Sequence, residues 1–77
     1  MKFREWKGLV RQVLSELESR AWDEREKLFL RALVLRLDTL RHRDLPLYIR
    51  NLHEYCRLFN RRDVCQRLLA EEVEPGG

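Results

Sequence analysis

Three side chains could do chemistry by type: His53, Cys56 and Cys65. His53 and Cys56 stand three residues apart, close enough on a helix to share a metal ion, and zinc favours sulfur and nitrogen ligands. The pattern stops there. No Cys-x-x-Cys pair occurs and no fourth ligand stands at metal spacing. A cysteine nucleophile needs an exposed position and a nearby base that lowers its pKa. Both cysteines instead fall on apolar helix faces, and Ser15 and Ser19 have no base in register. The chain has no glycine-rich phosphate loop, no paired-carboxylate site and no HExxH run. The reading is a non-catalytic protein with no metal and no cofactor.

The arginines are the other candidate. Arg50, Arg57, Arg61, Arg62 and Arg67, with Arg41 and Arg43 just before them, form a basic belt. Residues 1–35 carry a net charge of +2, residues 36–67 of +4 and residues 68–77 of −3, within a total of +3. A basic middle suits an acidic protein surface, with nucleic acid as the alternative partner. Nucleic-acid domains are usually more basic than this and place aromatic rings among the cations. Here Tyr48 and Tyr55 fall on an apolar stripe, away from the arginines.

Helices must position these groups. Three Gly and two Pro in 77 residues, most of them at the C-terminus, leave too few turn residues for a β-protein. Phe3, Trp6, Leu9, Val10, Val13, Leu14 and Leu17 lie within an arc of about 140° on a helix over 3–19. A second helix, 23–36, opens on Asp23, Glu24 and Glu26, acids that the helix dipole favours in a first turn. Its back half, from Leu28 to Leu37, is apolar on all sides. That predicts the central, wrapped helix, or one with a side left over for an oligomer contact. Asp44 before Leu45-Pro46 marks the start of a third helix, because proline is tolerated in a first turn. Its core face holds Leu45, Tyr48, Ile49, Leu52, Tyr55, Cys56 and Phe59. Asn60 can take the left-handed conformation that ends a helix. A last helix, about 61–72, presents Val64, Cys65, Leu68 and Leu69.

The expectation is one all-α domain over 1–72, a compact bundle of about five short helices, with 73–77 as a flexible tail or the start of a linker. No apolar run approaches the ~18 residues that span a bilayer, and the opening "MKFREWKGLV" is not a secretory signal. The expected location is the cytoplasm, with reduced thiols and no membrane partner. On the third helix, Leu47 and Leu58 fall outside the core arc, beside Asn51 and Glu54. Apolar anchors ringed by arginine are the anatomy of a protein–protein site.

The run "DLPLYIRNLHEYCRLFNRRDVCQRLLAE" resembles the C-terminal helical pair of bacterial effector-associated domains, small death-like adaptor modules related in pattern to death-effector and caspase-recruitment domains. Asp44-Leu45 stands at the helix start, Tyr55 is the aromatic near its middle, and Asn60-Arg61 occupies the joint where Gly-Arg is usual. Val64, Leu68 and Leu69 follow. The opening "FREWKGLVRQVLSELESRAWDEREKLFLRAL" is similar to that family's first two helices. The segment 38–44 is short for the family's middle helix, so four- and five-helix bundles both remain open.

The resemblance implies a homotypic adaptor that recruits a partner with a similar helical domain, or assembles with itself, in bacterial immunity or signalling. The basic side would be Arg43, Arg50, Arg57, Arg61 and Arg62 with Leu47, Glu54 and Leu58. The acidic side would be Glu16, Glu18, Asp23, Glu24 and Glu26. A plain helical homodimer through residues 28–37 is the third reading.

Overall fold

The computed structural model describes residues 1–75, which contain four α-helices and one short 3₁₀ turn. The helices are α1 (Phe3–Arg20), α2 (Glu24–Leu37), α3 (Leu45–Phe59) and α4 (Arg62–Leu68), with the 3₁₀ turn His42–Asp44 leading into α3. No helix among the described residues is long and apolar enough to cross a membrane.

Each boundary has a local cause. The Asp23 side chain caps α2 by accepting from the Arg25 N–H at 2.9 Å, satisfying one of the donors a helix start leaves unpaired. Asp44 sits at the start of α3, but its carboxylate makes no cap. It belongs to the 3₁₀ turn and faces Arg43 at 3.8 Å, so Pro46 in the first turn carries that boundary. Asn60 ends α3 with φ 56° and ψ 49°, and the Arg61 N–H donates back to the Cys56 carbonyl at 2.9 Å. A left-handed residue with a Cβ is strained unless it is Asn or Asp. Asn60→Gly should therefore leave stability about unchanged, whereas Asn60→Ala should cost about 1 kcal/mol. Urea unfolding followed by circular dichroism measures both. Equal losses for Gly and Ala would show that the Asn60 side chain, and not its backbone, matters.

The helices bury one core. Trp6, Val10, Leu14, Leu30, Leu37, Tyr48, Leu52, Tyr55 and Leu68 are almost wholly enclosed. Polar atoms inside it are paired across elements. Trp6 Nε1–H donates to the Leu68 carbonyl at 2.8 Å, joining α1 to α4. Tyr48 donates to the Leu33 carbonyl at 2.7 Å, joining α3 to α2. No buried side-chain nitrogen or oxygen among the described residues lacks a partner. A core this small tolerates few polar orphans, since each costs about 1–3 kcal/mol.

The segment after α4 differs from a free tail over its described part. Lys2 and Glu74 form a parallel β-bridge: Phe3 N–H donates to the Glu74 carbonyl at 2.9 Å, and Glu74 N–H to the Met1 carbonyl at 2.8 Å. His42 lies 3.4 Å from the Val73 carbonyl and stands edge-on to Phe3. The two chain ends and the 3₁₀ turn are thus tied together. Residues 76 and 77 of the expected tail lie outside the described residues.

α2 is not wrapped on all sides. Its buried stripe is Glu26, Leu30, Leu33 and Leu37, spaced i, i+4, i+7 and i+11. Leu28 and Leu35 point the other way and are 62% and 69% exposed.

Candidate functional site

Of the thirteen residues expected to form an interface, Glu18 pairs with Arg31 of α2 at 2.9 Å, and the other twelve separate into three groups. The first is internal. Glu26 is buried, and Arg61 grips it with two hydrogen bonds, Nε–H to Oε2 at 2.9 Å and Nη2–H to Oε1 at 3.1 Å. Tyr55 donates to the same carboxylate at 2.6 Å. The fork geometry is the strong form of the arginine–carboxylate pair. Arg61 holds the Glu26 carboxyl below its usual range, outweighing the opposing effect of burial. The same contact pushes Arg61 further up. These two charges, assigned by sequence to opposite surfaces of different copies, meet inside one chain.

The second group is exposed or half-buried and locally paired. Glu54 and Arg57 bond each other one turn apart on α3. Arg43 faces Asp44. Glu24 pairs with Lys27 at 3.5 Å, and Asp23 caps α2 while lying 3.7 Å from Arg25. Exposed pairs of this kind contribute little to stability and remain free to exchange partners. The third group is exposed with no salt-bridge partner among the described residues: Arg50, Arg62 and Glu16. Leu47 and Leu58 stand with them at 58% and 52% exposure.

The possible chemical residues are brought together differently. His53, Cys56 and Cys65 line a groove of about 660 Å³ between α3 and α4, with Arg57, Arg62 and Gln66 around it. Both thiols are buried and reduced, and Cys65 donates to the Leu52 carbonyl at 3.4 Å. Burial, aided by the neighbouring Cys65, pushes the Cys56 thiol up to about 12. A thiol held that high is almost wholly protonated at neutral pH, the wrong state for attack or metal binding. Among the described residues no three metal-ligating side chains converge. Tyr48 and Tyr55 are buried and so offer no stacking platform beside the arginines.

A scan of family models, a search of curated proteins and a search of solved structures each return no match to this chain. The function must therefore be read from the surface itself.

The sequence singled out Leu47 and Leu58, left open which way Leu28 and Leu35 face, and gave no sign of Trp22. α2 and α3 run antiparallel. Phe29 near the start of α2 packs edge-on against Phe59 near the end of α3, 6.0 Å between centroids. At the other end, Arg36 of α2 and Leu47 of α3 share a recess. Leu28 and Leu35 are two turns apart on the outside of α2, and Leu47 and Leu58 three turns apart on the outside of α3. All four are more than half exposed. Two leucine ridges thus flank one interhelical groove. The signal for Leu47 and Leu58 was their place off the core arc. For Leu28 and Leu35 it was the heptad step opposite Leu30, Leu33 and Leu37, masked by apolar residues all round the helix. Trp22, at the corner between α1 and α2, is 90% exposed, which is unusual for the largest side chain.

Proposed function

We propose that the chain is a non-catalytic protein-interaction domain, an adaptor of the death-like kind that its helical pattern resembles, acting in bacterial immunity or signalling. The observation that carries the reading is the exposure of Leu28, Leu35, Leu47 and Leu58 on two neighbouring helices. Single exposed leucines are ordinary. Leucines ranged along a groove and rimmed by polar residues are the anatomy of a docking face. The 3₁₀ turn at His42–Asp44 is consistent with a middle helix reduced to one turn, which supports reading the four-helix bundle as a shortened member of that kind.

In the homotypic form, Arg50 and Arg62 on one copy meet Glu16, Asp23 and Glu24 on another. Complementary charge supplies specificity and association rate, and such a contact is head-to-tail, able to close a ring or extend. Glu26 and Arg61 take no part, because they hold each other. Size-exclusion chromatography with light scattering tests this over a range of protein and salt concentrations. The expected mass climbs with protein concentration and falls back in high salt, since exposed pairs are screened beyond a Debye length of about 8 Å at physiological ionic strength. Arg50→Glu with Arg62→Glu should hold the chain as a monomer. A monomer at every concentration and salt removes the homotypic form and leaves an unlike partner.

A further inference from the structure

The geometry points to the groove between α2 and α3 as the docking site of an acidic amphipathic helix supplied by a different protein. This rests on the interaction-domain reading above, but not on its homotypic form.

The shape comes first. Two recesses, of about 240 and 170 Å³, lie along the α2–α3 junction and share Arg36 and Asn51 as common walls. They form one elongated trough. Phe29 and Leu33 line its first part, Tyr48 and Leu47 its second. The flanking ridge from Leu28 to Leu35 spans about 10.5 Å at 1.5 Å per residue. That is the i to i+7 repeat of a helix lying in a groove, whose anchors recur at i, i+3 or i+4, and i+7.

Charge then selects the occupant. Arg36 stands in the middle of the trough and Arg50 one turn on from Leu47. Neither has a carboxylate within ion-pair distance among the described residues. The carboxylate on the trough wall, Asp44, lies 3.8 Å from Arg43 and makes no ion pair with Arg36. A helix bringing Asp or Glu beside its apolar stripe would supply what both guanidiniums lack. A second copy presenting this same face would set Arg36 and Arg50 against their own equivalents in an isologous contact. The area also disfavours a second copy. Four half-exposed leucines make a patch of a few hundred Å², short of the about 800 Å² per partner of a standard interface but ample for one short helix. Single-stranded nucleic acid would require exposed rings for its bases, and the rings on the trough wall are not free: Phe29 is half-buried and Tyr48 buried.

A phage-displayed library of single helices, randomised at exposed positions and selected on the full chain, tests the proposal. Recovered helices are synthesised and titrated by fluorescence anisotropy against the chain and its Leu35→Asp, Arg36→Glu and Arg4→Glu variants. All three positions are exposed, and circular dichroism verifies that the fold is kept. The expected helices carry apolar residues at i, i+4 and i+7 flanked by Asp or Glu. They should bind about tenfold or more weakly to the first two variants and unchanged to Arg4→Glu, on the outer face of α1. Basic or uncharged helices, or binding indifferent to Leu35 and Arg36, would overturn the proposal. If no helix is recovered but the chain forms a dimer that Leu35→Asp abolishes, the face belongs to a second copy: the proposal falls and the interaction reading stands. If neither helices nor self-association are found, both fall.

Discussion

Replacing Glu26 by alanine is expected to destabilise the domain by about 3 kcal/mol, enough to lower Tm by about 12–24 °C in a chain of this size. The loss has two parts. Tyr55 is fully enclosed, so its hydroxyl loses its acceptor in a place water does not reach, and an unsatisfied buried donor costs about 1–3 kcal/mol. Arg61 loses a two-pronged partner. Its side chain is 40% exposed against 6% for Glu26, so water takes up part of that loss, which places the total at the low end for a broken buried pair. Glu26→Gln keeps the shape and an acceptor and should cost less.

The pH dependence separates charge from packing. The folded-state pKa of Glu26 lies below its ordinary 4.5. Its ionic contribution is therefore fully present above the unfolded value and is lost as pH falls through the folded one. As pH falls from about 4.5 into acid the wild type should lose stability faster than Glu26→Gln, and the two should converge once Glu26 is protonated. Glu54 is lowered as well, by Arg57, but that pair is exposed and screened and should leave little mark. Urea midpoints across this range provide the measurement. Parallel curves for wild type and Glu26→Gln would mean that the charge on Glu26 does not stabilise the fold.

That pair also marks where the sequence stops being legible. α1 and α3 could be read from their residues because polar side chains interrupt the apolar stripe and so declare which side faces in. The stop at Asn60 was legible for a local reason, the left-handed turn that asparagine tolerates. α2 was harder. From Leu28 to Leu37 apolar residues lie on every side, and periodicity cannot then say which face is buried. Only the spacing of Glu26 with Leu30, Leu33 and Leu37 places the acid on the inner stripe, against the expectation that a first-turn glutamate faces water. Its partner Arg61 is 35 residues away, and no local pattern encodes that meeting. The same ambiguity kept Leu28 and Leu35 from being singled out within 28–37, since a helix apolar all round does not say which side is left over for a contact. The bridge between Lys2 and Glu74 is a contact of backbone with backbone, which side-chain types do not announce.

The two tryptophans give the second large prediction, because they sit at opposite extremes. Trp6 is 1% exposed and Trp22 is 90% exposed. Trp6→Ala should cost about 4 kcal/mol, within the range for emptying an aromatic site in a core. A domain of this length has about 4–11 kcal/mol in total, so the variant should be partly or wholly unfolded at 25 °C. The cavity is only part of the reason. Trp6 stands edge-on to Tyr48 at 6.0 Å, and its indole N–H holds the Leu68 carbonyl, which lies in the last turn of α4, where helix carbonyls lack an internal partner. Trp6→Phe keeps most of the volume and removes that bond, so it should fold, lose about 2 kcal/mol, and expose the α4 amides to hydrogen exchange more than those of α2. Uniform loss of protection would show that the indole acts through volume alone and not as the tie between α1 and α4. Trp22→Ala removes a side chain that touches mainly water and should leave the urea midpoint almost unmoved. An exposed tryptophan that the fold does not need for its stability fits a surface shaped for contact, and a large loss for Trp22→Ala would instead make it part of the structural framework.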